Sequence, residues 1–193
     1  MGSAGATGFV DITVPPVIRA RLQSPFMHLL VIRHGPAEDR EVFAKTGRED
    51  DLRPLTRAGR KEMGKAAKGL ERVVDSIDVI ASSPLTRAVE TADCVAEVFE
   101  DAKRVVREEL SPGAPARKLI KWLQSQPARA TVAVVGHEPD LSRLISALLA
   151  GDPRPIVEMK KGAACLLALG SDAGTGRAVL CWLMTRSQLR QLA

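Results

Sequence analysis

Leu29-Leu30-Val31-Ile32-Arg33-His34-Gly35-Pro36 is a run of four large aliphatic residues that ends in an arginine, a histidine, a glycine and a proline. Unbroken by polar residues and bounded by turn formers, it reads as a strand buried on both faces, the pattern of a parallel sheet. Whatever follows such a strand is held at the lip of a rigid sheet, where ligands sit in open α/β folds. The pattern recurs at Thr131-Val132-Ala133-Val134-Val135, which ends in Gly136-His137-Glu138-Pro139. Two of the three histidines therefore adjoin a glycine at the end of an apolar strand. The third, His28, opens its strand and reads as structural.

Helical patterns alternate with these runs. Thr56 is placed to cap a helix whose apolar face carries Ala58, Met63, Ala66, Ala67 and Leu70. Residues 76–82 form a second candidate strand. Ser83-Pro84 then reads as an N-cap followed by the first helical position, which puts Arg87 in the first turn of the next helix, on the same sheet edge as His34. Residues 104–106 are a short strand and 110–115 a turn, followed by a helix with Leu119, Ile120 and Leu123. A helix with Leu141, Leu144, Ile145, Leu148 and Leu149 is stopped by Gly151 and Pro153. Residues 163–169 and 178–184 form an antiparallel pair closing the sheet edge. Residues 37–54, rich in charge and without a period, read as a loop opening near the site.

The expected fold is α/β: a single three-layer domain with a mostly parallel central sheet, helices on both faces and an antiparallel C-terminal edge pair. A chain of 193 residues with 45% hydrophobic content supports one such core. Residues 1–26 read as an N-terminal extension, expected to be flexible, and 27–193 as the domain. The formal charge of +5 is spread over helices without interleaved aromatics, so a nucleic-acid partner is not expected. No apolar stretch has the length of a membrane span. Three cysteines without metal-ligand spacing read as small buried hydrophobes and suit a reducing cytoplasm.

Convergence of the loops would bring two guanidinium groups and two imidazoles together with little acidic compensation. Only an anion makes such a cluster comfortable, and the planar fork of arginine suits phosphate oxygens. The chain shows no phosphate-cradling glycine loop with its lysine, no cysteine nucleophile motif and no aspartate cluster for magnesium. A histidine is the remaining nucleophile for phosphorus, and a covalent phosphohistidine divides one difficult displacement into two easier ones.

Arg33-His34-Gly35, Ser83-Pro84-Leu85-Thr86-Arg87-Ala88 with Thr91-Ala92, and Gly136-His137 resemble, in order and spacing, the three signatures of the histidine phosphatase superfamily, the phosphoglycerate-mutase-like enzymes. Leu55-Thr56 with Gly59, Glu109-Leu110-Ser111-Pro112 and the shortness of the chain are similar to its small SixA-type phosphohistidine phosphatases. The resemblance implies His34 as nucleophile, Arg33 and Arg87 as phosphate clamps, and His137 as a second imidazole on the phosphoryl oxygens. It implies no metal and no organic cofactor, and a phosphorylated protein (phosphohistidine) or a small phosphorylated compound as partner. A monomer or weak dimer is expected. Mutase-like relatives draw a general acid from a glutamate after the third strand, the place of Glu108 and Glu109. These two also read as a solvated acidic pair before a turn, and Glu38 or Asp39 are alternatives reaching in from the first motif.

Overall fold

The computed structural model describes residues 26–170 and 173–193, so the expected extension, residues 1–26, lies outside them except for Phe26. Strand β1 (Met27–Arg33) sits in the middle of a mixed six-stranded sheet. Along the chain follow α1 (Arg40–Ala44), α2 (Arg57–Leu70), β2 (Val79–Ser82), α3 (Thr86–Ala96), β3 (Lys103–Val106) and α4 (Ala116–Gln124). The remainder is β4 (Thr131–Gly136), α5 (Asp140–Ala150), β5 (Ala164–Leu169), β6 (Val179–Met184) and α6 (Arg186–Leu192).

The sheet order is β3-β2-β4-β1-β5-β6. The first four strands in that order are parallel, β5 runs antiparallel to β1, and β6 antiparallel to β5. The expected architecture is the one observed. Leu29, Leu30, Val31 and Ile32 are at most 1% exposed because both faces of β1 are covered. Leu30 and Ile32 pack with Met63, Ala66 and Leu70 of α2, Ala88 and Val95 of α3, and Leu189 of α6. Leu29 and Val31, pointing the other way, pack with Leu119 and Leu123 of α4 and Leu141, Leu144 and Leu148 of α5. Each such side chain contributes about 1.5–3 kcal/mol by burial, so the strand that carries the site is among the best anchored in the molecule.

Register is what places the chemistry. Arg33 stands opposite Gly136, and the ladder continues as the His34 N–H donates to the Gly136 carbonyl at 3.1 Å. Ser82 stands opposite Val135, and the Ser83 N–H donates to the Val135 carbonyl. Three neighbouring parallel strands therefore end level, delivering His34, Ser83 and His137 to one edge.

Local signals are met at two of the helix ends read from sequence. The Thr56 hydroxyl accepts from the Gly59 N–H at 2.8 Å, and Gly151 closes α5 in the left-handed region, φ 75°. Two expectations are corrected. Helix α3 begins at Thr86, not at Ser83-Pro84: the Ala88 and Val89 N–H groups turn back to the Leu85 carbonyl, so Leu85 takes the cap position. The segment 37–54 also has structure of its own. Asp39 caps α1 through the Glu41 and Val42 N–H groups, Asp50–Leu52 forms a 3₁₀ turn, and Ala37 bridges to Leu55.

Cys94 and Cys165 are buried and Cys181 half-buried, none of them in a disulfide among the described residues. Burial pushes the Cys165 thiol up to about 12, which suits a small apolar side chain rather than a reactive one.

Candidate active site

His34 and His137 lie side by side at the ends of β1 and β4, their ring centroids 5.1 Å apart and tilted by 52°. They are 6% and 4% exposed. His34 Nδ1 lies 2.7 Å from the Gly35 carbonyl oxygen. A carbonyl only accepts, so this pairing puts the hydrogen on Nδ1 and leaves the lone pair on Nε2. The ring's Nε2 lone pair is thereby left outside that backbone contact.

Gly35 has a packing reason. A Cβ there would come within 2.5 Å of Met63 Cγ and 3.4 Å of Leu55 Cδ2, so the glycine lets α2 press against the end of β1. Its N–H donates to the Thr91 hydroxyl, which in turn donates to the Arg87 carbonyl, tying β1 to α3.

His137 Nε2 lies 2.9 Å from the Ser83 hydroxyl. That hydroxyl also accepts from the Leu85 N–H at 3.3 Å, so its own hydrogen is free to point at Nε2. In that arrangement the His137 hydrogen resides on Nδ1. The serine that sequence reading placed as a helix cap is thus occupied by a tertiary partner.

Arg33 and Arg87 are each fixed at one end. The Arg33 Nη1 donates to the Met159 carbonyl at 2.7 Å. The Arg87 Nη1 donates to the Asp50 carbonyl at 2.9 Å, and its Nη2 lies 3.3 Å from the Asp50 carboxylate. Buried polar atoms nearly always find partners, yet Arg33 Nε, Arg87 Nε and His137 Nδ1 have none among the described residues. Three orphaned donors on residues of one sheet edge are what an oxyanion satisfies.

Asp50 supplies the acidic compensation that sequence reading did not find. Its carboxylate binds Arg53 at 2.8 Å and Arg40 at 3.4 Å as well as Arg87. Hydrogen bonding from Arg53, with the pull of Arg87, holds it below the ordinary carboxylate range. Arg53 in turn donates to the Glu38 carbonyl, so the 37–54 segment is laced over Arg87. No periodicity marks Asp50; the only sequence signal is its place in a long charged connection beside a motif.

The candidate acids lie differently. Glu109 Oε1 accepts from Arg107 at 2.7 Å, and the residue lines a cavity of about 290 Å³ between its turn and α5, walled by Leu110, Leu119, Leu141 and Leu144. Burial acts to raise the Glu109 carboxyl, but its own N–H and Arg107 together hold it below its usual range. Glu108 is exposed and accepts from the Ser111 hydroxyl. Asp39 is spent capping α1, and Glu38 is exposed. The structure does not join any of them to the histidines by a hydrogen bond.

Burial, followed by the field of His137, Arg87 and Arg33, lowers the His34 pKa to about 3 against the pull of the Gly35 carbonyl. Burial and Arg87 lower His137 to about 4. Both rings are accordingly neutral across the physiological range. The sign for stability follows: the unfolded chain takes up these protons near pH 6.5, the folded chain only near 4 and 3, so stability is lost as pH falls through that window. An NMR titration of the ring nitrogens is expected to give midpoints near 4 and 3; a midpoint near 6.5 for either ring contradicts its burial in a cationic site.

Among the described residues no group of three or more His, Cys, Asp or Glu is arranged to hold a metal, and no helix is long and apolar enough to cross a membrane.

The profile of the histidine phosphatase superfamily (branch 1) matches residues 29–111. An uncharacterized protein of Picosynechococcus is 32% identical over 149 residues, covering 76% of this chain and 87% of its own. A phosphohistidine phosphatase SixA homolog of Haemophilus influenzae is 29% identical over 140 residues, covering 67% of this chain and 81% of its own. The structure of the protein histidine phosphatase SixA complexed with tungstate superposes with a TM-score of 0.70 at 25% identity, over 84% of this chain and 99% of that one. The likeness spans the strands that carry both imidazoles, and with it the chain takes its place in the histidine phosphatase superfamily, among the small SixA-type phosphatases.

Proposed function

We propose that the chain is a protein phosphohistidine phosphatase working through a phosphoryl group carried on His34, without metal or organic cofactor, and that residues 27–193 are the domain that does so. The observation that carries this reading is the His34 Nδ1 contact with the Gly35 carbonyl, which aims the Nε2 lone pair from a site rich in unpartnered donors.

In the first step Nε2 forms a bond to phosphorus as the bond to the leaving group breaks and its electron pair departs with that group. In the second, a water oxygen forms a bond to phosphorus and releases one proton to solvent, the P–Nε2 bond breaks, and its electron pair returns to the ring, leaving neutral His34 and inorganic phosphate. Arg33, Arg87 and His137 Nδ1 grip the equatorial oxygens in both steps, where positioning and charge stabilisation provide most of the catalysis of phosphoryl transfer. Because His34 is neutral without help from a base, attack needs no prior proton transfer.

The substrate assignment rests on the likeness to SixA proteins and on leaving-group chemistry. Imidazole departs more readily than an alkoxide and asks less of a general acid. The deciding assay compares a phosphohistidine protein, a phosphohistidine peptide and alkyl phosphate esters. The expected result is a kcat/KM at least about tenfold higher on the phosphohistidine protein, a difference of about 1.4 kcal/mol in transition-state binding. Equal or better turnover of a small phosphate ester assigns the chain to small phosphorylated compounds instead. Glu108→Ala and Glu109→Ala are expected to leave all three rates within about threefold, since these side chains are bound to Ser111 and Arg107.

A further inference from the structure

Arg33 and Arg87 are fixed by different means. Arg87 is held by Asp50, whereas the side chain of Arg33 has one partner among the described residues, the Met159 carbonyl 2.7 Å from Nη1. That carbonyl opens a short turn, residues 159–163, which lies against the end of β1. The Lys160 carbonyl closes the turn by accepting from the Ala163 N–H at 2.8 Å, and the Arg33 N–H donates to the Ala163 carbonyl at 3.1 Å. The Gly162 N–H is shared between the carbonyls of Arg33 and His34, 3.1 Å from each. The guanidinium of Arg33 and the backbone of His34 therefore both lean on this turn.

The turn is anchored unevenly. Met159 is fully buried with Leu29, Val31 and Leu144 and secures one end, and β5 takes up the other. The middle has no such anchor, since Lys160 and Lys161 are exposed and a hydrogen shared between two carbonyls cannot align well with both. Gly162 has a φ of 75°, and a Cβ there would lie 2.7 Å from Met63 Sδ and 2.9 Å from Arg186 Cδ, so the turn is pressed against α2 and α6. From that side the Arg186 Nη1 donates to the Lys161 carbonyl at 2.9 Å, while its Nε lies 2.9 Å from the Glu62 carboxylate of α2. Among the described residues this is the one side-chain hydrogen bond to the middle of the turn.

We propose that Arg186 is a positioning residue for catalysis: by holding the Lys161 carbonyl it keeps the Met159 carbonyl against Arg33, so that the unpartnered Arg33 Nε is presented to the phosphoryl oxygens. The inference rests on the phosphatase reading above. Arg186 touches no reacting group and acts only through the backbone of the turn. A guanidinium suits the task because its planar fork gives one nitrogen to the carbonyl and another to Glu62, which ties the turn to α2. Without it the turn is free to lift at Lys161, Arg33 Nη1 loses its acceptor, and the clamp rotates on a flexible side chain. A misplacement of about 1 Å in a positioning group costs up to about 10²-fold in rate.

The test compares Arg186→Met, Arg186→Lys and Arg190→Met with wild type. Arg190 is the control: it binds the same Glu62 carboxylate from the same helix, at 3.1 Å, and makes no hydrogen bond to the turn. The readouts are kcat/KM on phosphoimidazole, the Kd of orthovanadate, and the exchange rate of the Arg33 Nε–H by NMR at saturating orthovanadate, the signal being assigned by its loss in Arg33→Lys. Arg186→Met is expected to lose about 10–100-fold in kcat/KM, to weaken vanadate by a similar factor and to lose the exchange protection of the Arg33 Nε–H. Arg186→Lys, which can reach the carbonyl but lacks the fork, should lose about three- to tenfold, and Arg190→Met should stay within about threefold. Equal losses in Arg186→Met and Arg190→Met make α6 a structural support only and overturn the assignment. So does an Arg186→Met variant within threefold of wild type, or one that loses activity while the Arg33 Nε–H stays protected. If Arg186→Met does not fold, Arg186→Lys decides, and a loss below threefold there overturns the assignment. In each of these cases phosphoenzyme trapped on wild type still upholds the His34 mechanism; a wild type with neither phosphoenzyme nor turnover overturns both.

Discussion

Replacement of His34 by alanine is expected to reduce turnover to background, a loss of roughly 10⁴–10⁶-fold in kcat, and to abolish the phosphoenzyme trapped with labelled substrate. The size of the effect follows from the absence of a substitute. His137, the nearest imidazole, has its Nε2 engaged with Ser83, and no described cysteine stands at this edge. Water entering in place of the ring would have to attack a dianionic phosphoryl group in one step, without the neutral lone pair that burial preserves on Nε2. The fold should tolerate the change, because His34 sits beyond the last residue of β1 and its side-chain hydrogen bond runs only to the adjacent Gly35 carbonyl. A variant that melts within a few degrees of wild type and still turns over substrate above about 1% of the wild-type rate removes His34 from the mechanism.

The parts of this molecule that were legible from sequence are those whose cause is local or repeats along the chain. An unbroken aliphatic run can satisfy its surface only between two layers, and β1 and β4, paired residue for residue, are that case. Two equivalent strands ending in glycine and histidine imply a shared edge once the sheet is parallel. What was not legible depends on partners distant in the chain. Ser83-Pro84 has the chemistry of a helix start, but His137, 54 residues away, competes for the hydroxyl, and the helix begins later. Asp50 looks like one solvated charge among many until the turn at Asp50–Leu52 carries it onto Arg87. The need for glycine at 35 comes from Met63, whose approach is set by helix packing.

Arg87→Ala is the second change with a large expected effect, and the Asp50 cluster decides how it will present. Losing one charge-stabilising donor from a preorganised site costs about 10²–10³-fold, or about 2.7–4 kcal/mol of transition-state stabilisation. Removing half of a buried ion pair commonly costs stability too, because the surviving charge is left without compensation. Here the survivor is not stranded: Asp50 keeps Arg53 at 2.8 Å and Arg40 at 3.4 Å, and its side chain retains 29% exposure. The stability loss should therefore stay below about 2 kcal/mol, small beside the catalytic loss. Arg87→Lys restores the charge but not the planar fork that lets Nη1 and Nη2 hold Asp50 while Nε stays unpartnered, so it should recover only part of the rate. Orthovanadate offers a readout independent of turnover. At a hundredfold excess over its Kd it should stabilise wild type by about 2.7 kcal/mol, and the same concentration should leave the melting temperature of Arg87→Ala nearly unchanged. An alanine variant that keeps both its kcat/KM within threefold and its vanadate shift makes Arg87 a strut for the 37–54 segment; loss of both with the fold intact makes it the clamp.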